Sequence, residues 1–334
     1  MKARLVISTL LCAISLPVQA HGDWTSARPD GHAPMGVMAD HVHSQSEWML
    51  AYQFTHMSMS GLRDGSDRVS SDEAINDYGY NAAPTDMDMD MHMLMLMYAP
   101  TDRLTLMIMA HYMDNTMDMD MGGGMTGTME TSGMGDSFAG GIYKLLDAER
   151  QQVLLNFGLS IPTGSTDETV ENMMGMEMRA GYAMQLGSGT WDLMPGMTWL
   201  GQGERWSWGS QVMATLRTGE NSEDYTLGDE LRFTAWSARK LTDWLSASLR
   251  LEQVQFGNVD GADPEMNPDA SPATDPRNQG GERTRLGLGA NVRFSGPLAG
   301  HRVGLEIIEP VRERLDGPQM SEERTITAAW EYAW

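Results

Sequence analysis

Apolar and polar residues alternate along several stretches of the chain. In residues 326–334 every second residue is apolar or aromatic, and the residues between them are small or polar. The same alternation runs through 48–54, 153–161, 245–251 and 286–294. Alternation with a period of two predicts β-strands that place one face against an apolar medium. The stretches approach the roughly ten residues that a tilted strand needs to cross a bilayer.

These stretches are separated by polar segments that are alternately short and long. Short turns are expected at 100–103, 147–150, 201–205, 239–243 and 295–300, and long loops at 60–84, 120–133, 163–188, 219–225, 257–282 and 310–321. Short turns at one end and long loops at the other are typical of transmembrane barrels.

The connections leave twelve predicted strands, at 47–59, 86–98, 104–119, 134–146, 152–162, 190–200, 206–218, 226–238, 244–256, 283–294, 301–309 and 322–334. We therefore predict an all-β fold: a transmembrane antiparallel up-and-down β-barrel of about 12 strands with both termini periplasmic. Residues 175–186 could form a further strand. That would make the count odd and move 257–282 to the short-turn side, so we assign 175–186 to an external loop.

The N-terminal twenty residues have the features of a secretory signal peptide. Lys2 and Arg4 precede an apolar core at 5–16, and Val18-Gln19-Ala20 forms a small-residue cleavage site. The expected domains are a signal peptide at 1–20, a periplasmic N-terminal leader containing His and Met at 21–46, and an outer-membrane β-barrel at 47–334. The single cysteine, Cys12, lies in the signal peptide, which argues against disulfides and thiolate chemistry in the mature chain.

Charge and hydropathy narrow the choice of partners. Without Lys2 and Arg4 the chain has 21 basic against 46 acidic residues, which argues against a nucleic-acid partner. No later segment has the roughly 18 consecutive apolar residues of a transmembrane helix, so a membrane protein of this sequence is expected to be a closed barrel. The alternative is a secreted soluble β-protein. The aromatic C-terminal strand favours the barrel, with outer-membrane lipid and the barrel-insertion machinery as partners.

Methionine is concentrated in one part of the chain. Of 31 methionines, 20 fall between Met35 and Met134, and most alternate with aspartate or apolar residues in two predicted neighbouring strands. In the strand at 104–119, Leu106, Ile108 and Tyr112 form a natural lipid face. We therefore expect the alternate residues to line the interior, and the aspartates at 86–90 and 114–120 to stand at the outer membrane boundary.

Inward-facing thioethers suggest a metal-binding role. Thioethers favour Cu(I), imidazoles suit Cu(II) and zinc, and carboxylates collect cations, so copper is the expected metal if one binds. The candidate ligands are Met91, Met93, Met95, Met97, Met107, Met109, His111, Met113, His41 and His43. A free amino-terminal His21 could also chelate copper, or remain solvated. The alternative is that methionine simply fills an apolar interior.

Several motifs resemble a family of bacterial outer-membrane transporters grouped with the meta-pathway phenol-degradation proteins. They are 33–43 (APMGVMADHVH), 47–49 (EWM), 91–93 (MHM), 98–106 (YAPTDRLTL), 158–164 (GLSIPTG) and 187–192 (GSGTWD). The resemblance covers most of the mature chain. It implies an outer-membrane barrel with a transport function and no assigned catalytic residues.

The sequence is compatible with three functions. The leading hypothesis is transport or binding of a small solute, with a soft metal cation such as copper as the first choice. The alternatives are an uptake channel for small aromatic or apolar compounds and a structural barrel without transport. No enzyme activity is expected, because His111, the best-placed histidine, has methionines and Thr105 as neighbours on its face rather than a serine or an acid.

Overall fold

The computed structural model describes residues 24–171, Gly175 and 177–334. The expected signal peptide and His21 lie outside the described residues.

The described residues form many strands and little helix. In chain order the elements are β1 (Trp48–Gly65), β2 (Asp67–Val69), α1 (Ser71–Asn76), β3 (Ala83–Thr101), β4 (Leu104–Asp120), β5 (Thr126–Met134), β6 (Ser137–Ala148), β7 (Gln151–Ile161), β8 (Thr169–Glu171), β9 (Glu177–Arg179), β10 (Asp192–Leu193), β11 (Gly196–Gln202), β12 (Trp206–Thr215), β13 (Tyr225–Thr226), β14 (Glu230–Lys240), β15 (Leu245–Phe256), β16 (Asp260–Gly261), β17 (Gly281–Arg293) and β18 (His301–Ala333). Short 3-10 helices occur at Tyr182–Met184, Pro272–Thr274, Pro276–Asn278 and Gly296–Leu298. Within these residues no helix has the length and apolar character to span a membrane.

Eleven strand elements close into one antiparallel barrel. Their order is β1, β3, β4, β6, β7, β11, β12, β14, β15, β17 and β18, and β18 pairs again with β1. In the same sheet β2, β5 and β10 pair with members of this ring but lie outside it. β9 pairs with β8 outside the ring, as expected for the loop at 175–186.

The expected count of twelve strands is not confirmed, because the last two predicted strands belong to one assigned element. Residues 302–315 of β18 pair with β17, and residues 315–333 pair with β1. The two halves also contact each other, since the Trp330 indole donates to His301 at 3.1 Å. Gly317 has a φ of 76°, which permits a tight reversal between them.

The outside of the barrel is apolar and its inside is largely polar. Leu94, Ile108 and Leu288 are exposed, whereas Thr105 and Ser246 are completely buried. This distribution is the reverse of a soluble protein and is typical of a barrel with lipid around it. The short connections lie at the end of the barrel that holds Trp48 and Trp334, which we call the turn end. The long connections lie at the opposite end, the loop end.

Residues 24–47, which we call the plug segment, lie inside the barrel. Buried wall side chains donate to its backbone: Ser246 to the Pro29 carbonyl at 2.7 Å, Arg302 to Ala33 at 3.0 Å and Gln211 to Met38 at 2.9 Å. The plug segment thus satisfies polar groups that the inner wall would otherwise leave unpaired. The sequence did not predict this placement, since residues 21–46 were expected as a leader that precedes the barrel.

Candidate functional site

The inner faces of β1, β3 and β4 carry a surface rich in methionines, unbroken along β3, which we call the methionine wall. Its rows follow the strand register: Met49 pairs with Met97, and Met97 pairs with Met107. Nearer the loop end Met59, Met87 and Met117 form the corresponding row, as alternate residues of antiparallel strands must. The members are Met49, Met57, Met59, Met87, Met89, Met91, Met93, Met95, Met97, Met107, Met109, Met113, Met117 and Met119.

The facing predicted from the sequence agrees with the burial of these strands. Met93 is 6% exposed while its neighbour Leu94 is 57% exposed. Of the candidate ligands, Met93, Met97, Met107, His41 and His43 are buried, and Met91, Met95, Met109, His111 and Met113 are half-buried. The eight strand residues of this set lie along the methionine wall, whereas His41 and His43 belong to the plug segment.

His111 belongs to β4 and lies opposite the point where β5 ends and β6 begins. Its imidazole packs over Gly135, where any Cβ would overlap the ring. The Gly135 amide also donates to the His111 carbonyl at 2.9 Å. Gly135 therefore provides the space in which this side chain is held.

The aspartates that alternate with the methionines lie on the opposite face of the wall. Asp86 and Asp88 are exposed, and Asp86 pairs across the strands with Asp118 as Asp90 does with Asp114. On this outer face the His56 imidazole contacts the Asp90 carboxylate at 2.7 Å. Because alternate residues of a strand point to opposite sides, these carboxylates and the inward sulfurs cannot bind the same ion.

The inner faces of β14, β15, β17 and β18 carry paired charges instead. Arg250 contacts Glu306 at 2.9 Å, and Arg285 contacts Glu252 at 2.8 Å. These groups are buried or nearly so, and pairing reduces the cost of removing them from water. The lumen therefore has an apolar side of methionines and a charged side, on which the charged residues pair with one another.

At the loop end, the methionine wall continues into a cavity of about 430 Å³ beneath the external loops. We call it the methionine cavity. It is lined by methionines of β4, β5, β9 and the loop after β4, together with small residues of the loop at 270–274. Its methionines are Met117, Met119, Met121, Met125, Met129 and Met178. Met178 was not among the site residues predicted from the sequence, although it continues the Met-x-Met pattern in the segment assigned to a loop.

The external loops that cover this cavity, which we call the cap, are held in place by contacts with one another. Arg179 is buried and contacts Asp263 and Glu223, each at 3.0 Å, which joins three separate loops. Tyr182 and Tyr225 pack edge to face with their ring centroids 5.0 Å apart. Burial raises the pKa of Tyr225 to about 12. The cap is thus a packed structure with its own small core.

A second cluster of polar groups occurs in the plug segment. The Asp40 carboxylate contacts the His41 Nδ1 at 2.7 Å, and His41 Nε2 lies 3.2 Å from His43 Nε2. Burial alone would raise the pKa of Asp40, but His41 beside it lowers that pKa far below its ordinary value. The imidazoles of His41 and His43 therefore lie together within the plug segment.

Comparison with known proteins identifies the family. A family model described as "Putative MetA-pathway of phenol degradation" matches residues 79–296. The chain belongs to this family. No curated protein sequence matches it.

Solved structures with a similar fold are outer-membrane proteins. An outer membrane channel from Pseudomonas putida F1 matches with a TM-score of 0.60 at 16% identity, covering 89% of this chain and 98% of that chain. A FadL homologue from Pseudomonas aeruginosa matches with a TM-score of 0.44 at 12% identity, covering 86% and 90%. The toluene transporter TodX from P. putida matches with a TM-score of 0.42 at 11% identity, covering 87% and 90%. The first of these similarities establishes that the barrel fold matches that of an outer-membrane channel.

Proposed function

We propose that this protein is an outer-membrane channel for small apolar compounds, aromatic compounds above all. The observation that carries the proposal is the methionine cavity at the loop end, which opens onto a methionine wall running through the barrel. The description of the family, which names phenol degradation, agrees with a substrate of this class.

The size and chemistry of the methionine cavity suit such a solute. Its volume of about 430 Å³ compares with about 150 Å³ for an apolar cavity that binds benzene. Thioethers are flexible and polarisable and make favourable contacts with aromatic ring edges. Met117 and Met119 on the wall and Met178 on the cap could therefore close around a ring from two sides.

The arrangement of the barrel suggests a stepwise path rather than an open pore. The cap covers the loop end and the plug segment fills the turn end. Between them, Met89, Met91 and Met93 follow one another along β3 on the inner face. A solute released from the cavity would pass along this apolar surface and leave when the plug segment shifts.

We further propose that the two halves of β18 cross the membrane separately, which gives twelve crossings with both ends of the barrel domain on the periplasmic side. A strand of 33 residues would extend about 110 Å, several times the thickness of a bilayer. The Ala333 amide donates to the Gly300 carbonyl at 3.1 Å, so the element returns to where it began.

The leading hypothesis from the sequence, transport or binding of a soft metal cation, receives less support than a channel for apolar compounds. The family description points to aromatic chemistry, and the acidic residues that would attract cations lie on the outer face of the methionine strands. Copper transport is therefore not part of the proposed function.

Flux into proteoliposomes tests the proposal. Toluene and copper ions would be supplied side by side to wild-type protein and to the double variant Met119→Gln/Met129→Gln, which keeps side-chain length but makes the cavity polar. We expect the wild type to accelerate toluene entry and the variant to lose most of this acceleration. Met266→Gln is the matched control, because Met266 is buried in a different cluster of the cap. Equal toluene flux through all three proteins and empty liposomes would refute the proposal.

A further inference from the structure

We propose that the plug segment, together with β3, holds one late first-row transition-metal ion, with copper and zinc as the metals that fit. The site comprises His32, Asp40 and His41, and it faces the sulfurs of the methionine wall near the turn end. It is separate from the methionine cavity, and it does not depend on the solute that passes.

The donor atoms are close enough to share an ion. One ligand atom from each of His32, Asp40 and His41 lies within 4.8 Å of the others. Two ligands at about 2.0–2.2 Å from one ion lie at most about 4.4 Å apart, so only small rotations of these side chains are required.

The polar atoms of this cluster are not all satisfied by the protein. His32 Nδ1 is buried and has no hydrogen-bond partner, although it points towards Asp40, whose nearer oxygen is 3.9 Å away. A buried polar atom without a partner costs free energy unless another group binds it.

A small cavity lies next to the cluster. Its volume is about 30 Å³, and its lining includes Asp40, His41, Met35, Met93, Met95 and Met97. This is about the volume that one water molecule occupies, which is also enough for a single ion. The cavity thus brings imidazole, carboxylate and thioether groups to one place, and seven of its lining side chains are the histidine or methionine residues that bind copper.

Nearby charges favour a cation overall. Asp40 and Glu331 supply two carboxylates, and Arg302 supplies the opposing charge. Arg302 is already paired with Glu331 at 3.0 Å and donates to the Ala33 carbonyl, which leaves Asp40 as the carboxylate beside the histidines. Its Oδ2 accepts from the Ala33 amide at 2.7 Å and would bind a metal through its remaining lone pair. A bound ion would connect two distant points of the plug segment and hold them against β3.

Metal titration of the purified barrel tests the inference. The chelator-treated protein would be titrated with Cu²⁺ and separately with Zn²⁺ by calorimetry, with the bound metal counted after gel filtration. We expect one equivalent to bind, and the X-ray absorption spectrum of the bound ion to contain imidazole scattering. Bound metal should also raise the unfolding temperature, because it binds only the folded protein.

Variants separate this site from surface binding. His32→Gln and Asp40→Asn should each weaken binding by about tenfold or more. The control is His56→Gln, which removes another His–Asp pair, on the outer face of β1 and β3, and should leave binding unchanged. Heat-dependent migration on gels verifies that each variant is folded. The inference is overturned if folded wild-type protein binds neither metal, or if His56→Gln reduces binding as much as His32→Gln does.

Discussion

The Asp136 carboxylate accepts hydrogen bonds from both the backbone amide and the hydroxyl of Ser188, at 2.8 and 2.7 Å. Asp136 lies in the connection between β5 and β6, and Ser188 belongs to the long loop that covers the loop end. The other oxygen of Asp136 accepts from the Gly164 amide at 3.0 Å, at the start of the same loop. One carboxylate therefore holds both ends of the cap loop to the barrel wall.

Replacing Asp136 should loosen the cap. Hydrogen bonds to a charged group contribute roughly 1.5–3 kcal/mol each, so Asp136→Ala should increase transient opening of the loop at least about tenfold. Trypsin cleavage after Arg179 measures this opening, because Arg179 is buried under the closed cap. Asp167→Ala is the control, since Asp167 is exposed in the same loop and its carboxylate accepts from its neighbour Ser165. Equal cleavage of the two variants would contradict the assignment.

Glu306 holds the plug segment at the turn end. It accepts from the Gly36 amide at 2.8 Å and pairs with Arg250. Removing it in Glu306→Ala loses a charge-assisted hydrogen bond of roughly 1.5–3 kcal/mol and should raise the open time in planar bilayers about tenfold. Glu309→Ala on the same strand removes an exposed pair with Arg324 and should leave the conductance as it is. A plug that stays closed in Glu306→Ala would show that other contacts dominate.

Two glycines face each other where β6 and β7 pair. Gly140 lies opposite Gly158, and a Cβ at Gly140 would overlap the Phe157 carbonyl oxygen and the Phe138 ring. Gly140→Ala should destabilise the barrel by about 1–3 kcal/mol, because the backbone itself would have to move. Urea unfolding in lipid vesicles measures the change. Gly203→Ala, whose nearest neighbouring atom would be 3.5 Å from the new Cβ, should unfold at nearly the wild-type urea concentration.

Tyr225 makes the cap sensitive to alkaline pH. Its pKa of about 12 in the folded protein exceeds the value of 10.0 for an unperturbed tyrosine. The unfolded state therefore loses this proton first, so the stabilising contribution is complete below pH 10 and is lost between pH 10 and about 12. Absorbance at the tyrosinate band should contain a late titration step that loses the amplitude of one tyrosine in Tyr225→Phe, while Tyr80, whose pKa is also raised to about 12, still contributes to it. A titration curve unchanged by that substitution would exclude a raised pKa at this residue.

The strands and the direction in which their side chains point were predictable because both follow from local periodicity. Leu94 and Ile108 identified the lipid side of their strands, and this placed Met93 and Met107 inside. The two final predicted strands both lie within β18, and the long loop that was expected at 310–321 is assigned to the same element.

The plug segment and the cap could not be predicted in the same way. Residues 24–47 have no strand periodicity, and their place depends on donors such as Ser246 and Arg302 that are far away in sequence. The cavity likewise requires Met178 and Ala273 to meet the ends of β4 and β5. Such contacts between loops depend on closure of the whole barrel, which a pattern within one segment does not contain.

The methionine cavity is the basis of the proposed function, and a crystal of the protein soaked with bromobenzene tests it most directly. Bromine can be located by its anomalous scattering, independently of the protein. We predict an anomalous peak inside the cavity, between Met119, Met129 and Ala273, and its loss in the Met119→Gln/Met129→Gln variant. An empty cavity at saturating bromobenzene, or bromine bound only on the lipid-facing surface, would contradict the account.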